Sequence, residues 1–531
     1  MFIKNTLTAA LCAASMLFAA AHAETVLRLD EVAVGELDPA KASDFADSIL
    51  MFNVYDTLVI PMQGGPGHTA HLATSWEADG NDVTFTLRDD VKFQSGNPFT
   101  SADVVYSFER MQALGAGLSY LFTDVTAEAV DDTTVKFSQA NPNAAFVASL
   151  VRLPIIDMAD VKANSDEEWG EDYLTANGAG TGAYAVKSHN PQEETVMTKS
   201  DSYFLSVADA APDTVRLRYG LEAATVRTLI AQGEHDIASQ WLPPEVVTAL
   251  AKDGAQLFTE GGTGGFYFKM NTTKAPLDDV NCRLALASAF DYATAIKMIA
   301  INDEVSAGSP ATGAIPVGMF GANGADSVQA QDLEAAKAHL EACKYDAADM
   351  NIEVSWIAEV PLEERFALLM QSNFSQLGIK SEIVKMPWAL FAEQVSTPEN
   401  TPHISQLFVN AVTGDPDTLL YGMYHSSTPG TWQSPEYLND ARVDEMLDAG
   451  RAATTEADRE KAYAGLNARL MEIAPTIYGF DRQAVYVASN RVKAPALSDP
   501  SQAFGLDGMG FSFRLMEMVE EERQVSVMRG K

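Results

Sequence analysis

The chain has 531 residues, 73 of them acidic and 36 basic, for a formal net charge of -37. Spread along the chain and not gathered in a tail, this charge repels nucleic acid and anionic membrane surfaces; nucleic acid is excluded as a partner, and the charge itself reads as a means of solubility. With 47% hydrophobic residues, and a length beyond what one hydrophobic core serves, the chain predicts two or more packed lobes.

Met1-Phe2-Ile3-Lys4, an apolar stretch over residues 7–20 and then Ala21-His22-Ala23 read as a secretory signal peptide cut near Ala23. The apolar stretch is shorter than the roughly 20 residues a membrane span needs. Cys12 follows Leu11, where a lipoprotein signal carries a small residue, so the mature chain is expected to be free of a lipid anchor. Cys282 and Cys343 then remain, which excludes a disulfide-dense scaffold and a multi-cysteine metal cluster. One disulfide between them and two buried thiols are both open.

In chain order, the pattern predicts a strand over 26–29, a turn at Leu37-Asp38-Pro39 and a helix over 44–58. Trp76 to Asp82 leads through a turn into the alternating run Val83-Thr84-Phe85-Thr86-Leu87-Arg88, a half-buried hairpin strand with Trp76 and Phe85 in the core. Thr100 with Asp103 three residues on opens a helix in the manner of a capping box. A strand at 135–137 and a helix opening at Asn141-Pro142-Asn143 follow. The glycine-rich run Asn177 to Tyr184 leads into a strand and lacks Gly-Lys-Ser/Thr, so it reads as a structural turn and not as a phosphate loop.

Residues 214–219 alternate as a strand, 223–232 read as a helix stopped by Gly233, and 236–238 start another strand. Residues 281–300 carry Leu286, Ala289, Phe290, Ala293 and Ile296 at spacings of three and four, which predicts one helix. Helix over 333–343, strand over 352–356, helix over 364–377 and strand over 379–384 complete an α/β alternation, and Val519 to Arg523 reads as a frayed tail.

Taken together, these segments resemble the extracytoplasmic solute-binding proteins of family 5, the dipeptide-, oligopeptide-, nickel- and opine-binding proteins of ATP-driven (ABC) importers. The resemblance is carried by Leu37-Asp38-Pro39, Asn53-Val54-Tyr55-Asp56-Thr57-Leu58, Trp76-Glu77 with Thr84 to Arg88, and Val91-Lys92-Phe93 with Asp103-Val104. It continues through Gly180-Thr181-Gly182-Ala183-Tyr184, Gln232 to Ile237, Asp279 to Ala287 and Gly414-Asp415-Pro416-Asp417.

The resemblance implies a two-lobed periplasmic-binding-protein fold of α/β class with an extra inserted subdomain. Lobe I would comprise 24–45, 178–267 and 485–531, the inserted subdomain 46–177 and lobe II 268–484. It implies a periplasmic monomer that captures a small solute, peptide-like, opine-like or a cationic metabolite, between the lobes and passes it to the transmembrane subunits of an ABC permease. No catalytic residue, metal or cofactor is expected.

Trp388 matches a tryptophan that lines the pocket of peptide binders, Phe408, Val409, Asn410 and Val412 align with the pocket wall, and Trp241 and Tyr478 lie near the lobe crossings. Val412 stands where peptide binders carry an aspartate for the amino terminus. The segment Trp356-Ile357-Ala358-Glu359 lacks the arginine that dipeptide binders use for the carboxylate. An ordinary dipeptide would leave buried charges unpaired, whereas Glu359 beside the aromatic residues would favour a cation. A secreted hydrolase is the rival reading, but neither His-Glu-x-x-His nor Gly-x-Ser-x-Gly occurs. A periplasmic chaperone or sensor would share the fold.

Overall fold

The computed structural model describes residues 24–519 apart from 32–34, 44, 66, 359 and 454. The signal-peptide segment with Cys12, the first residue of the 44–58 helix, Glu359 and the tail beyond Val519 therefore lie outside the described residues. Among those described, no helix is long and apolar enough to cross a membrane.

One sheet of four strands, in the order Val26–Glu31, Thr214–Tyr219, Glu194–Lys199, Tyr184–Asn190, forms the base of what we call lobe I. A second four-stranded sheet, Ala73–Asp79, Asp82–Leu87, Thr134–Gln139, Val125–Asp131, sits beside it. Trp76 opposes Phe85 in its first hairpin with ring centroids 6.0 Å apart. Lobe II is built on six strands, ordered Gly308–Ser309, Thr476–Ala488, Gln256–Met270, Ile404–Asn410, Asn351–Ile357, Lys380–Met386. The mixture of parallel and antiparallel pairs covered by helices is α/β, as the sequence pattern predicts.

Several short motifs owe their residue types to single contacts. Asp38, fully buried, takes both ends of the buried Arg110 guanidinium, with Nη2 to Oδ2 at 2.6 Å. Asp56 accepts from Thr181 Oγ1 at 2.7 Å and Tyr203 Oη at 3.0 Å and pairs with His71 Nε2 at 2.6 Å. The glycines around Thr181 permit that approach, because a Cβ on Gly180 would lie 2.0 Å from the Val54 carbonyl oxygen and one on Gly182 2.3 Å from that of Asn53. The glycine-rich run is thus a packing device leading into the strand Tyr184–Asn190.

The Thr100–Asp103 capping box forms, and Ser101–Leu114 is helical. Ala223–Gln232 is a helix whose end Gly233 turns at φ 73°. The single helix expected over 281–300 is two helices, Val280–Ala289 and Tyr292–Met298. Asp291 breaks the run by capping the second one, its side chain accepting from Thr294 N, while Phe290 adopts an extended backbone. Cys282 and Cys343 form a disulfide, with Cα atoms 5.1 Å apart. Asp279 lies near both sulfurs, but two sulfurs bonded to each other are not free as thiolate metal ligands.

Inside lobe II, Lys269 Nζ and Glu436 Oε1 make a fully buried ion pair at 2.8 Å, with the ammonium 5.0 Å from the Tyr424 ring centroid. Burial pushes the lysine pKa down and the glutamate pKa up, and each partner opposes the shift. Removing one charge strands the other. Lys269→Met is expected to cost about 3–5 kcal/mol, while Lys269→Met combined with Glu436→Leu recovers most of it, as measured by calorimetric unfolding.

Candidate functional site

Two long antiparallel strands, Gln256–Met270 and Thr476–Ala488, carry the chain between the lobes. Their pairing holds from Gln256↔Ala488 to Gly261↔Gln483 and resumes at Gly265↔Asp481. The interruption, Gly261-Gly262-Thr263-Gly264-Gly265 on one strand and Arg482 on the other, falls where the lobes face each other. Glycine is required there, since a Cβ on Gly264 would sit 2.1 Å from both the Val409 carbonyl oxygen and Asn410 Oδ1.

At this break Arg482, 8% exposed, lies between two rings, 5.5 Å from Trp241 and 5.9 Å from Phe408. Its Nη1 donates to Asp507 Oδ2 at 3.0 Å and its Nη2 to Gln240 Oε1, and Asn410 Nδ2 donates to the same Asp507 oxygen at 2.8 Å. Trp241, Phe408 and Asn410 are therefore brought together. Val412 reaches the site through its backbone, whose carbonyl accepts from Arg152 Nε, and Arg152 Nη1 donates to Ser48 Oγ at 3.0 Å. Burial pulls the Arg152 pKa down to about 10, with Asp507 opposing.

The other sequence candidates lie elsewhere. Val409 and Tyr478 are 1% and 2% exposed in the apolar core of lobe II, where Tyr478 meets Tyr267 edge-on at 6.0 Å. Side chains alternate along a strand, so Phe408 and Asn410 share a face that Val409 cannot join. Trp388, 40% exposed, opens the helix Trp388–Gln394 and packs against Trp432 at 5.6 Å, with no ring contact to Trp241 or Phe408.

A cleft of about 780 Å³ adjoins the interrupted strands. Gly261 to Thr263 from the strand, Pro61, Gly64, Gly65, Gly67, His68, Ala144, Val147 and Ala148 from the lobe I side, and Val317 to Phe320, Thr413 to Pro416 and Arg459 from lobe II all line it. Ala144 N donates to the Arg451 carbonyl at 2.9 Å, closing the lobes at one edge. Beyond that bond a second chamber of about 410 Å³ lies between Tyr120 to Val125 and Asp417 to Gln433.

Asp481, Arg482, Gln240 and Asp507 were not among the sequence candidates. For Asp481 and Arg482 the available signal was two adjacent charges, followed by Gln483, inside the mostly apolar run Ile477 to Val487. Asp481 accepts from Val317 N at 2.8 Å and has no ion-pair partner among the described residues. Burial pushes its carboxyl up to about 7. Among the cluster's neighbours, Glu260 is likewise raised to about 7, by burial and then by Asp507, and accepts from Gly510 N at 2.8 Å and Tyr486 Oη at 3.0 Å.

A folded-state pKa above the ordinary carboxylate value means that the folded chain holds a proton the unfolded chain releases, so this group costs stability as pH climbs from about 4 to 7. Asp481→Asn keeps the acceptor for Val317 and removes the titration. The variant is expected to melt above the wild type at pH 8 and together with it at pH 4, by scanning calorimetry.

The model for bacterial extracellular solute-binding proteins, family 5 Middle, matches residues 68–431. A probable D,D-dipeptide-binding periplasmic protein of Escherichia coli (strain K12) is 27% identical over 469 residues, 86% of this chain and 88% of that protein. A periplasmic binding protein from Helicobacter pylori in complex with the peptide STSA superposes with a TM-score of 0.75 at 22% identity, over 94% of this chain and 99% of that one. A periplasmic binding protein from A. tumefaciens R10 in complex with agropinic acid superposes with a TM-score of 0.72 at 23% identity, over 93% and 99%.

Proposed function

Because this chain belongs to family 5 of the bacterial extracellular solute-binding proteins, we propose that it is exported to the periplasm, cut near Ala23, and works as a monomer that closes its lobes on a small solute and delivers it to the transmembrane subunits of an ABC permease. The observation that carries this reading is the 780 Å³ cleft, walled by both lobes and adjoining the only break in the pairing of Gln256–Met270 with Thr476–Ala488 large enough to interrupt several rungs. A volume of this size suits a metabolite or short peptide. Closure buries the solute and brings the two lobe faces into one surface, which a permease can tell from the open form.

The boundaries that suit this reading are lobe I at 24–45, 178–267 and 485–531, an inserted subdomain at 46–177 and lobe II at 268–484. The relatives named above are a probable D,D-dipeptide-binding protein and proteins in complex with a peptide or with agropinic acid, which supports a peptide-like or opine-like solute over the cationic metabolite that the sequence alone favours. Trp241, Phe408 and Asn410, ordered around Arg482, are the side chains we assign to one end of the site.

Native mass spectrometry of the mature protein as isolated tests this directly. We expect a mass excess of one small molecule that disappears after unfolding and refolding, and the released molecule returns unaltered after prolonged incubation with the protein. A conversion of that molecule would mark a hydrolase, and an excess that consists only of unfolded polypeptide would mark a chaperone.

A further inference from the structure

Two residues on opposite walls of the 780 Å³ cleft each carry a buried nitrogen with no partner among the described residues. His68 begins the strand His68–Ala70 in the lobe I hairpin, Arg459 lies in the helix Glu456–Ile473 of lobe II, and both line the cleft. Neither His68 Nε2 nor Arg459 Nε makes a hydrogen bond among the described residues. Burying such a group unbonded carries a desolvation cost that a ligand can relieve.

The remainder of each side chain is held in place. Arg459 Nη2 donates to Asp415 Oδ1 at 2.6 Å, and its guanidinium lies 5.4 Å from the Tyr463 ring and 5.7 Å from that of Phe320. Asp415 is itself fixed as the cap of the helix Pro416–Tyr424, accepting from Asp417 N at 2.9 Å. Burial lowers the His68 pKa, Asp415 and the neighbouring Thr413 backbone raise it, and Arg459 lowers it. A neutral imidazole that donates one N–H to a carbonyl keeps a lone pair on its other nitrogen. The cleft is therefore lined by one side chain from each lobe with a nitrogen left unbonded, between walls of bare backbone at Gly64, Gly65, Gly261 and Gly262.

We propose that the solute bridges the lobes between His68 and Arg459, giving an N–H or O–H to His68 Nε2 and taking the Arg459 Nε–H on an amide or carboxylate oxygen. This rests on the solute-binding reading of the cleft and adds the chemical class: a small polar molecule with a donor and an acceptor oxygen, as in a peptide, an amino acid or a hydroxy acid. A cation without an acceptor oxygen lacks half of the bridge. Since each partner comes from a different lobe, the bridge is complete only when the lobes are closed.

The test offers a tryptic digest of casein, mixed with free amino acids and 2-hydroxy acids, to the stripped mature protein and reads the loaded masses by native mass spectrometry. His68→Asn keeps a group that can bond Thr413 but nothing at the Nε2 position, His68→Gln does the reverse, and Arg459→Lys keeps a cation for Asp415 without the Nε–H. The wild type is expected to load one class of solute. His68→Asn and Arg459→Lys should each need about tenfold more of it, His68→Gln should stay near the wild type, and the double variant should lose less than the product of the single losses. Equal loading by wild type, His68→Asn and Arg459→Lys overturns the bridge and leaves solute capture standing. Equal losses in His68→Asn and His68→Gln assign His68 a structural role and also overturn it. A wild type that loads nothing overturns both readings.

Discussion

Everything about the cleft follows from the interrupted pairing of Gln256–Met270 with Thr476–Ala488. A regular antiparallel ladder running unbroken from lobe to lobe would hold them as one stiff body. The break at Gly261 to Gly265 removes several rungs and leaves four glycines and Thr263 between the lobes. It also releases Arg482 from regular pairing with Gln256–Met270, so that its side chain gathers Trp241 and Gln240 from one side, Phe408 from the other and Asp507 from the returning C-terminal segment. One backbone irregularity thereby supplies both freedom to move and a polar anchor.

Such freedom is useful only if each lobe is stiff. Buried ionic and polar clusters away from the cleft serve that end: Asp38 with Arg110, Asp56 with His71, Thr181 and Tyr203, His235 with Asp30 at 2.6 Å, and Lys269 with Glu436. Each lies inside one lobe, where packing fixes its geometry. Apart from the bonds of Arg482 and Asn410 to Asp507 and of Arg482 to Gln240 at the strand break, the cross-lobe contacts are of a different kind. Ala144 to Arg451 and Arg152 to Val412 are bonds to backbone carbonyls, which water can replace when the lobes part.

Elements with strong local signals were legible in the sequence. The strand Thr214–Tyr219 alternates cleanly, the helix Ala223–Gln232 ends at a glycine, and Thr100 with Asp103 caps as the spacing implies. The helix break at Phe290 and Asp291 was hidden because the apolar spacing continues across it, while the decision is made by one side-chain cap. The cleft residues were hidden for another reason. Arg459 sits in a charged helix and reads as surface, and His68 sits in a turn-rich stretch; only the fold brings these two, 391 positions apart as 459 minus 68, to facing walls. Val409 shows the reverse, an alignment with a pocket wall that side-chain alternation turns into core, and Tyr478, expected near a lobe crossing, is core as well.

The central claim is that solute holds two stiff lobes together across a flexible crossing. Spin labels on Glu128 and Glu445, exposed on opposite sides of the cleft, would measure the interlobe distance with the copurified solute present and after it is stripped. The account predicts one short, narrow distance in the loaded protein and a longer, broader distribution in the stripped one, reversed when solute is returned. The same narrow distance in both states would contradict it.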